Sequence, residues 1–61
     1  MEKVDFVTDN GFLIGVAVKF PQGWKFISNL ASRNGSRKYH DTFKSCIPVW
    51  AKSCKQIPNN G

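Results

Sequence analysis

Residues 12–20, FLIGVAVKF, set Phe12, Ile14, Val16, Val18 and Phe20 in strict alternation with Leu13, Gly15, Ala17 and Lys19. A period of two marks a strand with one buried face, and a lone strand has nothing to bury that face against. Both ends supply a neighbour. Asp9-Asn10-Gly11 precedes the strand and Pro21-Gln22-Gly23 follows it, each a three-residue loop ending in glycine. A type I turn followed by a left-handed glycine is a common hairpin connection of that length. Pro21 suits the first turn position because its φ is already fixed.

These loops predict a register. Phe20 faces Trp24, Val18 faces Phe26, Val16 faces Ser28 and Ile14 faces Leu30; on the other side Thr8 faces Phe12, Phe6 faces Ile14 and Val4 faces Val16. Nearly all large apolar residues then share one face, and a slip of one residue scatters them. Asn34-Gly35 reads as a third hairpin turn. A two-residue turn there sets Tyr39 against Leu30, whereas a three-residue turn sets Lys38 there; the first predicts a short strand near 36–40.

After Asp41-Thr42 the period changes. Phe43, Ile47, Trp50 and Cys54 follow helical spacing, with Lys44, Lys52 and Lys55 facing away and Asp41 or Thr42 as the cap. Pro48 either bends this helix or stands in its first turn, with the regular part starting near Ser45. The expected fold is α+β: a three- or four-stranded antiparallel meander (about 3–8, 12–20, 24–30 and 36–40) with one C-terminal helix (about 43–55) packed on one face. Phe43, Ile47 and Trp50 are expected to lie on Val18, Phe20, Trp24 and Phe26. The chain reads as one small domain, 1–61, with a frayed tail at 56–61.

Sixty-one residues make a marginal core, so each large apolar side chain has to be used. The formal charge is +5, and residues 10–61 carry eight Lys or Arg against Asp41 alone. That field favours polyanions or acidic protein surfaces, and it also keeps a small protein in solution. Met1-Glu2-Lys3 followed by an acid at Asp5 does not resemble a secretory leader. No apolar run approaches the ~18 residues of a membrane span. Cys46 and Cys54 on one helix stand ~12 Å apart at ~1.5 Å per residue, beyond the ~7 Å that a disulfide allows. Free thiols and a cytoplasmic setting follow.

Catalytic and metal chemistry find few residues to use. His40 is the only histidine, and in a strand Asp41 points to the opposite face, so no nucleophile–base–acid set assembles. Two cysteines and one histidine fall short of a zinc set, and no phosphate-binding glycine motif is present. The expectation is a non-enzyme without metal or cofactor.

Binding surfaces remain. The sheet face away from the helix is expected to carry Asp5, Val7, Leu13, Gly15, Ala17, Lys19, Lys25, Ile27, Asn29 and Ala31, with Lys19 opposite Lys25. A small sheet of this kind enters a DNA major groove with Lys and Arg on phosphates, or forms the seam of a homodimer. Arg33, Arg37 and Lys38 sit around Asn34-Gly35 on the expected hairpin tip, where arginine forks suit phosphates and guanine edges. Single-strand binders show exposed stacking aromatics, and here the aromatics fall on the core face.

Three strands and a helix, with Gly23-Trp24-Lys25-Phe26 in one strand and Ser36-Arg37-Lys38-Tyr39-His40-Asp41-Thr42-Phe43 leading into the helix, resemble AP2-type DNA-binding domains over about residues 12–53. Such domains read DNA through the sheet, and the resemblance implies Lys19, Lys25, Arg33, Arg37 and Lys38 as contact residues. The arginine and tryptophan pattern of AP2 sheets is missing. In size, charge and a Cys/Trp-bearing helix the chain is also similar to small accessory proteins of lambda-like phages and prophages, some of which bind host proteins. The leading expectation is a DNA-binding module using the sheet and the 32–38 tip. The alternative is an effector that holds an acidic host protein in the bacterial cytoplasm. A monomer and a homodimer are both compatible with these readings.

Overall fold

A computed structural model describes residues 2–59. Its sheet is antiparallel and four-stranded, in the order β3-β2-β1-β4, with β1 at Lys3–Val7, β2 at Leu13–Phe20, β3 at Gly23–Ser28 and β4 at Lys55–Asn59. Between β3 and β4 the chain crosses one face, forming a single helical turn, α1 (Phe43–Cys46), and a 3-10 turn at Val49–Ala51. The three-stranded meander agrees with the sequence. The pairing and the C-terminal third depart from it.

At the first loop the expected turn forms. Gly11 N–H donates to the Thr8 carbonyl at 2.9 Å and Thr8 N–H to the Phe12 carbonyl at 2.9 Å, with Gly11 at φ 83°. Val7 pairs with Leu13, but Phe6 then pairs with Gly15, Val4 with Ala17 and Lys3 with Val18. Ile14 is the extra residue of a bulge, and it turns into the core. At the second loop only Pro21-Gln22 connects the strands, because Gly23, at φ 134°, already faces Phe20. Lys19 therefore faces Trp24, Val18 faces Lys25 and Ala17 faces Phe26. Both registers differ from expectation by one residue, which exchanges the faces of β2 relative to its neighbours.

The reason is room. Gly15 and Ala17 lie on the same side as Phe6 and Phe26, which are fully buried and meet edge to face with ring centroids 5.2 Å apart. A Cβ on Gly15 would collide with the Phe26 ring. The small side of β2 is thus the floor on which neighbouring aromatics pack, and Val16, Val18 and Phe20 face away. Above that floor Phe43 stacks on Phe6 at 6.1 Å and meets Trp24 at 5.2 Å, while Trp50 meets Phe26 at 5.5 Å. Phe43, Ile47 and Trp50 cover Trp24 and Phe26 as expected, but not Val18 and Phe20.

The helix expected over 43–55 stops at Cys46. Thr42 caps it, accepting from Ser45 N–H at 3.1 Å, but Pro48 disfavours helical backbone in the residue before it. Ile47 is accordingly extended, at φ −81° and ψ 120°. The residues released from the helix run beside β1 as β4, where a frayed tail was expected; residues 60 and 61 of that tail lie outside the described residues.

The expected fourth strand at 36–40 is a single bridge between Trp24 and His40, supplemented by Ser36. Ser36 Oγ accepts from Phe26 N–H at 3.0 Å and donates to the Cys46 carbonyl at 2.9 Å, tying the edge of β3 to the end of α1. Gly35 lacks the positive φ of a two-residue hairpin turn. It serves close approach instead, since a Cβ there would strike the Phe26 carbonyl.

Both outer edges of the sheet are thereby modified. Residues 36–40 line β3. On the other side, Lys19 N–H donates to the Glu2 carbonyl at 3.0 Å, so even-numbered residues of β1 aim their backbone groups at β2 and odd-numbered ones at β4. Pro58, paired with Val4, therefore places its missing N–H on the free edge.

Candidate functional site

The face of the sheet opposite α1 carries a second apolar surface. Its rows follow from the pairing: Lys25, Val18 and Lys3 across β3, β2 and β1, then Ile27, Val16, Asp5 and Ile57 across all four strands, then Leu13, Val7 and Lys55. Tyr39 extends the first row. The Trp24–His40 bridge sets it beside Lys25, whose Nζ lies 4.8 Å from the Tyr39 ring centroid, and Phe20 meets the same ring at 5.7 Å. Gly23 permits this approach, because a Cβ there would crowd the His40 carbonyl oxygen at 2.5 Å.

Ile27 is 50% exposed and Ile57 48%, and Tyr39 is also exposed. Val18, by contrast, is only 5% exposed between its cross-strand partners Lys3 and Lys25. The face therefore has a half-buried Val16 and a covered Val18 on β2, isoleucines on both flanks, and three lysines against one aspartate.

The residues singled out from the sequence do not converge. Lys19 and Lys25, expected to oppose each other, lie on opposite faces: Lys19 pairs with Trp24 on the helix side and Lys25 with Val18 on the open side. Arg33 sits over Trp50, 5.9 Å from guanidinium carbon to ring centroid, also on the helix side. Arg37 and Lys38 are exposed in the segment leading into Tyr39 along β3. Of these residues, the pairing places only Lys25 on the open face. The sequence reading missed Lys3, Lys55, Val16, Val18 and Ile57 as members of that face. The alternation in Lys3-Val4-Asp5-Phe6-Val7 and Lys55-Gln56-Ile57 was the available signal.

Other chemistry-bearing groups have structural roles here. His40 pairs its backbone with Trp24 through bonds of 2.7 and 2.8 Å. Both cysteines are free; burial pushes the Cys46 thiol upward, and its S–H donates to the Phe43 carbonyl at 3.1 Å. An open cleft of about 410 Å³ beside α1 is walled by Trp24, Phe43 and Val4, with Glu2, Lys3 and Gln56 at its rim. No protein-family model matches the chain, and no curated protein or solved structure matches it.

Proposed function

We propose that this chain is a non-catalytic binding module that receives an acidic partner protein on its open sheet face. One observation carries the reading: Ile27, Ile57 and Tyr39, large and exposed, share a single face with Lys3, Lys25 and Lys55. Exposed apolar side chains interspersed with cations on one sheet face compose a protein-docking surface rather than a groove that reads bases. Net charge of +5 speeds encounter with an acidic partner. A photo-crosslinker at position 27 in the producing cell is expected to yield adducts with a second protein, and the same group at Val49, 82% exposed beyond the core, is not. Equal adducts from both positions, or none from either, would contradict the reading.

Nucleic-acid binding is the second reading, supported by Lys25 on the open face and by the exposure of Arg37 and Lys38. It predicts binding to a DNA duplex that falls steeply between ~50 and ~200 mM salt and weakens in an Arg33→Ala/Arg37→Ala variant. The protein-docking reading predicts no affinity beyond weak cation attraction.

A further inference from the structure

The protein-docking reading above leaves the shape of the partner open, and the edges and spacing of the sheet narrow it. A partner strand has poor purchase on either side. Residues 36–40 occupy the edge of β3, and Pro58 removes a donor from the edge of β4. A partner must lie across the face. Lys25 on β3 and Lys3 on β1 flank Val18 symmetrically, two strand spacings apart, or about 9.6 Å at ~4.8 Å each. That separation approaches the ~10–12 Å width of an α-helix. Val18 is almost fully covered between these flanks, so the accessible apolar row is the next one, Val16 with Ile27 beside it, and Leu13 and Val7 lie beyond.

From this we infer that the open face takes an amphipathic α-helix of the partner, laid over β2 with its apolar stripe meeting Val16 and its cross-strand neighbour Ile27. Acidic side chains on both shoulders of that stripe meet Lys25 and Lys3. A second copy of this chain fits less well. Face to face, two copies bring six lysines together with only two Asp5 carboxylates, and each chain already carries +5. The helix also gives the sheet the covered second face that residues 2–59 do not supply.

The test is titration of the isotopically labelled full chain with a designed 18-residue helical peptide bearing a leucine stripe and glutamates on both shoulders. Amide shifts are expected at Val16, Val18 and Ile27, with affinity falling at least tenfold in the Lys3→Glu/Lys25→Glu variant and for a peptide with glutamine shoulders. Equal binding of the glutamine peptide would overturn the acidic-shoulder inference while the docking reading stands. Shifts on this face that grow with protein concentration and no peptide would replace the helix with a second copy. If neither peptide moves these resonances while the position-27 crosslinks persist, the partner is not a helix. If the crosslinks fail too, the docking reading falls with it.

Discussion

Ser36 holds three segments together with one hydroxyl. Removing it leaves the Phe26 N–H and the Cys46 carbonyl, both partly buried, without that partner. Ser36→Ala should cost ~1–3 kcal/mol, read as a shift in the urea midpoint. For a chain of this size, total stability is about 3–9 kcal/mol at ~0.05–0.15 kcal/mol per residue, so that loss is a large share. Gly15→Ala should cost a similar ~1–3 kcal/mol by overpacking against Phe26. Cys46 gives a pH signature. Its folded thiol is held above the ordinary value by burial, so its contribution is complete below that value and is lost as pH rises through the folded pKa. Wild type should therefore lose stability faster in alkali than Cys46→Ala, and iodoacetamide should label Cys54 before Cys46, as peptide mass mapping would reveal.

At the scale of elements, β4 is the piece that the sequence hides best. Truncation after Cys54 should lower the melting temperature by at least ~8 °C, taking about 2 kcal/mol at ~4–8 °C per kcal/mol; a frayed tail would leave it unchanged. Lys55-Gln56-Ile57-Pro58-Asn59 reads as a tail because proline is depleted from strands, and only its place on the outer edge makes it admissible. The helix reads too long for the opposite reason. Phe43, Ile47 and Trp50 do share a face, but Pro48 forces Ile47 out of helical backbone and a 3-10 turn continues the same stripe. β1, β2 and the Asp9-Asn10-Gly11 turn were legible from alternation and turn chemistry. Register was not, because apolar alternation says which residues share a face and not which face the crossover will cover. Here bulk sat on both sides, and the choice fell to the space above Gly15. The candidate site followed that choice: once β2 turned over, Lys19 and Lys25 parted and Lys3 came to stand opposite Lys25 across Val18.

At the scale of the whole molecule, the sheet is covered on one side by a crossover holding two short helical turns, and among the described residues no element packs on the other. Exposed Ile27 and Ile57 contribute little to folding, so an Ile27→Lys/Ile57→Lys variant should melt within a few degrees of wild type while losing its partner, as thermal denaturation and crosslinking would measure in parallel. The outward position of Pro58 has a further consequence, for life at high concentration. A protein with a bare apolar face and an unpaired border strand is one residue away from a template on which copies add end to end. Pro58→Val restores the missing donor on that border. The variant should convert to thioflavin-binding fibres under conditions in which the parent remains a clear solution, which would make this proline the residue that keeps a sticky sheet finite.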